Sequence, residues 1–195
     1  MRTAAIVVTG VAVLVEVGWL VVGDGEIGPV TIGVLALIAM ATVTLGRVRA
    51  LIVLTRVALG VLLAGSVADR FGLFGPPRTD GVSWGSYAEF VDYTRTLLPG
   101  FAADAAPLAA GAATVAEVGL GVALIIGVRA RMSAAAAAAL FTMFAVAMVT
   151  SVGFAAMAGY AVPVMIGGAL LVSACAAEPG SSERRWIGSR RRETA

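Results

Sequence analysis

The chain has 195 residues, 59% hydrophobic and 13% charged, with 14 basic against 12 acidic side chains, far more apolar than a soluble domain tolerates. All of the basic residues are arginine and histidine is absent, which excludes imidazole as a haem or metal ligand and as an acid or base, so no metal site or bound cofactor is evident. The lone Cys175 excludes an internal disulfide or a C-x-x-C dithiol, and the net charge of +2 sits largely in a tail holding Arg184, Arg185, Arg190, Arg191 and Arg192, which points to a membrane surface and not to nucleic acid.

Six stretches are apolar enough to cross a hydrocarbon core of roughly 30 Å, which takes about 20 helical residues. They are Ala4–Val22, Pro29–Leu45, Ala50–Ala68, Pro107–Val128, Met132–Val152 and Ala155–Ala176, the second short and the fifth rich in alanine. The sequence therefore predicts an all-α membrane protein of six transmembrane helices. The first stretch follows Met1-Arg2-Thr3, but it is long, contains Glu16 and lacks a small-x-small cleavage site before Asp24, so a retained helix is expected. Arg2, then Arg47 and Arg49, then Arg129 and Arg131, then the tail occupy every second connection. The positive-inside rule thus predicts that both termini are cytoplasmic.

The one long connection, Asp69 to Ala106, opens with FGLFGPPRTDG, a turn-rich run with adjacent prolines. SYAEFVDYTRTLLPG follows, in which Ser86 and Glu89 form a capping box and Pro99-Gly100 end a helix. Trp84, Tyr87, Phe90, Val91, Leu97 and Leu98 mostly share one face, while Glu89, Asp92 and Arg95 lie towards the other. An amphipathic outer-loop helix is expected, lying along the membrane or capping the bundle, with Trp84, Tyr87 and Phe90 as its aromatic surface.

Three ionisable residues fall at membrane depth, where each costs about 2.5–3.5 kcal/mol on insertion scales: Glu16, Arg56 and Glu117. Counted from the cytoplasmic helix ends, Arg56 lies about 9 Å in and Glu117 about 15 Å in. The difference is within an arginine's reach, so the sequence predicts an Arg56–Glu117 ion pair facing the bundle interior, either as a lock between two helices or as an anchor for a quinone headgroup or small anion. Glu16, with no basic residue at its depth, is a candidate proton site. Gly60, Ala64 and Gly65 on one helix and Gly111, Ala113, Gly119 and Gly121 on the other allow close packing. Tyr160 and Pro163 suggest a kink in the last span, and Cys175 reads as an inert thiol.

These residues carry a family resemblance. LTRVALGVLLAGSVADRFGLFG is similar to the opening helix of DoxX-like membrane proteins, and ATVAEVGLGVALIIGVRAR to that family's second helix, with Glu117, Gly119, Gly121 and Gly127 followed by Arg129 and Arg131. The resemblance covers about Ala50 to Ala176. It implies a DoxX-like four-helix core over residues 49–177, preceded by a two-helix extension, 1–48, and followed by a basic cytoplasmic tail, 178–195. Relatives of the actinobacterial type imply a non-catalytic or quinone-associated subunit of a membrane oxidoreductase assembly, with the lipid bilayer, a quinone and cytosolic or membrane oxidoreductase subunits as partners. Many members have a lysine shortly after the Ala-Gly, where this chain has Asp69-Arg70 at the helix end. Two other readings remain at this level. One is a small-solute or proton-coupled transporter whose path is lined by Glu16, Arg56 and Glu117; the other is a scaffold that recruits cytosolic enzymes through the tail.

Overall fold

A computed structural model of the protein describes residues 1–22 and 27–176. Asp24, Glu26 and the basic tail lie outside the described residues. The described residues form helices α1 (Arg2–Val22), α2 (Pro29–Val43), α3 (Arg49–Arg70), α4 (Tyr87–Leu97), α5 (Ala106–Ile126), α6 (Ala130–Ser151), α7 (Phe154–Gly159) and α8 (Val162–Cys175), with a 3-10 turn at Gly100–Ala105 and no strand.

Four of these elements are long and apolar enough to span a bilayer: α1, α3, α5 with its preceding 3-10 turn, and α6. Two of the six expected spans are shorter. α2 has 15 residues and α8 has 14, about 21–23 Å each at 1.5 Å per residue. The last expected span is interrupted: Ala161 takes φ +50°, and Pro163 lacks the N–H and would crowd the carbonyl of Gly159, so α7 and α8 are separate helices. The kink expected from Tyr160 and Pro163 is thus a full break.

The outward faces carry Val7, Val11 and Leu14 on α1, Leu108, Val115 and Val122 on α5, and Met143 and Val146 on α6, all exposed. Such aliphatic stripes suit lipid rather than water. Inside, the most extensive helix contacts are α6 with α8, α3 with α5, and α1 with α8. The short α8 is therefore central, touching α1, α2, α3 and α6. Its Gly167 makes the α1 approach possible, since a Cβ there would lie 2.8 Å from the Thr9 Cα. Thr9 consolidates the crossing by donating its hydroxyl to the Gly167 carbonyl at 2.8 Å.

α3 and α5 cross just as closely. A Cβ on Gly60 would come within 2.8 Å of the Gly121 carbonyl oxygen, and one on Gly121 within 3.1 Å of the Gly60 oxygen. Ala64 joins this contact, whereas Gly65 and Gly119 face open space. The crossing sets the register of the two antiparallel helices, and that register decides which charges meet.

Candidate functional site

α3 and α5 are offset along their common axis. At the arginine-rich end Arg56, seven residues into α3, lies level with Leu124 near the end of α5. At the other end α3 stops at Arg70, opposite Glu117, while α5 continues to Ala106. α4 packs against the overhanging part of α5 and also touches α3 and α6. Its N-terminus forms as expected, with the Ser86 hydroxyl accepting from the Glu89 N–H at 3.3 Å.

The partner of Glu117 is Arg70, not Arg56. Arg70 Nη2 lies 2.7 Å from both Glu117 carboxylate oxygens, and the two side chains are 3% and 1% exposed. Ser66, one turn before Arg70, accepts from the same nitrogen at 3.1 Å, and Thr114, one turn before Glu117, accepts from Nη1 at 3.0 Å. The Arg70 guanidinium carbon sits 3.5 Å from the centre of the buried Phe90 ring, a cation–π contact in a desolvated setting. The neighbouring Asp69 accepts the backbone N–H groups of Ser83 and Trp84 at 3.0 and 2.9 Å, tying the loop before α4 to the end of α3.

The aromatic side chains close over this pair. Trp84 meets Phe90 edge-on at 5.3 Å and Tyr93 at 4.7 Å, Tyr87 lies 6.4 Å from Phe90, and Phe71 stacks on Tyr87 at 6.1 Å. Tyr160, at the α7–α8 break, lies beside Asp69, Ser83 and Tyr93. Burial, followed by the proximity of Tyr160, pushes the Tyr93 phenol up to about 12. Three polar atoms here are buried without a hydrogen-bond partner: Arg70 Nε, Asp69 Oδ1 and the Tyr93 hydroxyl.

Arg56 has a different task. Its Nη1 donates to the Leu124 carbonyl at 2.6 Å. That carbonyl would ordinarily accept from the Val128 N–H, but Gly127 turns left-handed at φ +81° and both its N–H and that of Val128 go to Ala123. A free carbonyl at the negative end of α5 results, and a guanidinium satisfies it. Gly127 is needed twice here, because a Cβ would run into the guanidinium of Arg56. The expected Arg56–Glu117 pair fails because seven residues, or about 10 Å along the axis, separate Glu117 from Leu124. Counting both depths from the helix ends assumed flush ends.

Glu16 lies apart from both arginines. It is fully buried on the α1 face that carries Thr9, and neither carboxylate oxygen has a hydrogen-bond partner among the described residues. Glu16, Arg56 and Glu117 thus make no direct contact with one another by ion pair or hydrogen bond among the described residues. Arg70 is the residue that sequence reasoning missed. Its signal was present in the spacings Ser66-to-Arg70 and Thr114-to-Glu117, each placing two polar side chains on one helix face.

Compared with known proteins, residues 51–151 match the model of the DoxX family. Neither the comparison with curated proteins nor that with solved structures returned a match.

Proposed function

The chain belongs to the DoxX family, and from that premise we propose that it is a non-catalytic, quinone-associated subunit of an inner-membrane oxidoreductase assembly. The observation that supports this reading is the cluster at the outer end of α3. A quinone headgroup is a flat ring bearing carbonyl acceptors, so the chemistry that recognises it is a pair of unspent donors beside aromatic faces. Arg70 Nε and the Tyr93 hydroxyl are donors buried without acceptors, and they flank Trp84 and Phe90. The donor set matches the group's chemistry: Arg70 and Tyr93 would hold its carbonyls, and the rings would hold its plane. The bound quinone would supply electron carriage to the membrane pool.

In this reading Glu117, Ser66 and Thr114 are positioning residues. They hold the Arg70 guanidinium by its two terminal nitrogens and leave Nε for a ligand. The outer loop, anchored through Asp69, covers the site. Both termini face the cytoplasm, where the arginines gather, and residues 49–177 form the core to which residues 1–48 add two helices.

The test is quinone content. Protein purified from its native membrane should carry extractable quinone, and Tyr93→Phe, which keeps the ring, should lower the quinone-to-protein ratio several-fold. A wild-type extract empty of quinone, or an unchanged ratio in Tyr93→Phe, would sink the assignment. Co-purification of a redox-active partner tests the assembly separately.

A further inference from the structure

A second polar site lies at the opposite, arginine-rich end of the molecule, and the quinone reading does not use it. The start of α1, the turn between α2 and α3, the first two turns of α3, the turn between α5 and α6, and the end of α8 border a half-open cleft of about 520 Å³. That volume is in the range of small-ligand sites. Arg2, Arg47, Arg49 and Arg56 line it, and among the described residues no carboxylate does.

None of the four has an ion-pair partner among the described residues. Arg2 donates to the Leu45 carbonyl at 2.7 Å and Arg56 to the Leu124 carbonyl, each through one terminal nitrogen, so both are fixed in place with most of their donors unspent. Arg47 and Arg49 make no side-chain hydrogen bond among the described residues. The backbone brings them there by a tight reversal, with Leu45 at φ +52° and Gly46 at φ +61°. Gly46 is packed against Cys175, where a Cβ would lie 2.6 Å from the sulfur, which holds the turn against the end of α8.

Four guanidinium groups around one concave space, two of them already rigid, form a receptor for a tetrahedral oxyanion, because planar forks of donors match the spacing of phosphoryl oxygens. Topogenic arginines need only lie on one face of the membrane, whereas these converge from three separate segments on one cleft. We propose that this cleft binds a phosphoryl group, carried either by an anionic lipid headgroup or by free phosphate.

The full-length protein in neutral detergent, titrated with inorganic phosphate at fixed ionic strength, should show one saturable site by calorimetry. Reconstituted into phosphatidylcholine nanodiscs with added phosphatidylglycerol, it should retain phosphatidylglycerol in native mass spectrometry. Phosphate binding without lipid retention identifies a soluble anion as the ligand, and the reverse identifies a headgroup; either result supports the site. Arg49 is exposed and starts its helix, so Arg49→Gln should fold, as gel filtration checks, yet lose about tenfold in affinity, the loss expected for one charge-assisted contact. Arg129→Gln removes a charge at the same end but outside the cleft and should change little. Absence of saturable binding by both probes, or equal losses in the two variants, would overturn the proposal, since equal losses mean diffuse surface charge.

Discussion

Arg56 and Arg70 stand fourteen residues apart on one helix, against one partner helix, and are stabilised in two different ways. Arg70, 2% exposed, meets a full negative charge and is surrounded by hydroxyls and an aromatic face. Arg56, half-buried, meets no carboxylate among the described residues and instead satisfies the carbonyl left free where α5 turns at Gly127. A guanidinium buried in an apolar bundle thus has two solutions, a counter-ion or the negative end of a helix. Which one applies depends on how far the neighbouring helix extends at that level.

The sharpest way to test that contrast is to unpair each arginine. Arg70→Met or Glu117→Leu alone strands a buried charge and should destabilise the protein by about 3–5 kcal/mol, read as a large fall in melting temperature in detergent. Combining the two should restore most of the loss, because an apolar pair of similar volume needs no counter-ion. Arg56→Gln should be milder, about 2 kcal/mol, since it removes one charge-assisted bond and leaves no charge behind. Equal losses for Arg56→Gln and Arg70→Met would break the distinction. Gly127→Ala should match Arg56→Gln at about 2 kcal/mol, because a left-handed alanine is strained and its Cβ displaces the same guanidinium. In the Arg56→Gln background that substitution should lose part of its effect, a coupling that a double-mutant cycle measures.

Smaller effects probe the cover over Arg70. Ser86→Ala removes the cap of α4 and should lower stability by about 1 kcal/mol without touching Arg56. Tyr93 supplies a pH dependence. Its phenol ionises near pH 10 in the unfolded chain and about 12 in the fold, so between those values the unfolded state loses its proton first and stability falls as pH rises. Below pH 10 both states keep the proton and the effect is absent. Tyr93→Phe should flatten that part of the profile of melting temperature against pH, and an unchanged slope would show that Tyr93 is not the group responsible.

Much of the fold was legible because its signals are local. Apolar length marks α1, α3, α5 and α6, and Ser86 with Glu89 marks the start of α4. Tyr87 and Phe90 could be assigned to one face by helical spacing, whereas Trp84 precedes α4 and reaches Phe90 and Tyr93 from the loop, which spacing does not predict. The break before α8 was half visible in Pro163, but the left-handed Ala161 leaves no mark in composition. The six-span count met its limit at α2 and α8, whose helices are shorter than the apolar runs that encode them.

The central ion pair was legible by membership and not by pairing. Glu117 was recognisable as a buried acid in need of a cation, and Arg56 as a buried cation in need of an acceptor, since the desolvation cost that creates the need is readable from the apolar run itself. The pairing depended on register. Gly60 and Gly121 let α3 and α5 cross where they do, and that crossing slides α5 outward past the end of α3, so that a residue at a helix terminus, Arg70, arrives opposite Glu117. The sequence by itself determined a helical membrane protein of the DoxX family, the end at which its arginines gather and the residues that need partners. Only the tertiary structure decided who those partners are, because contacts between antiparallel helices are set by their offset, and the offset is a property of packing that neither helix encodes alone.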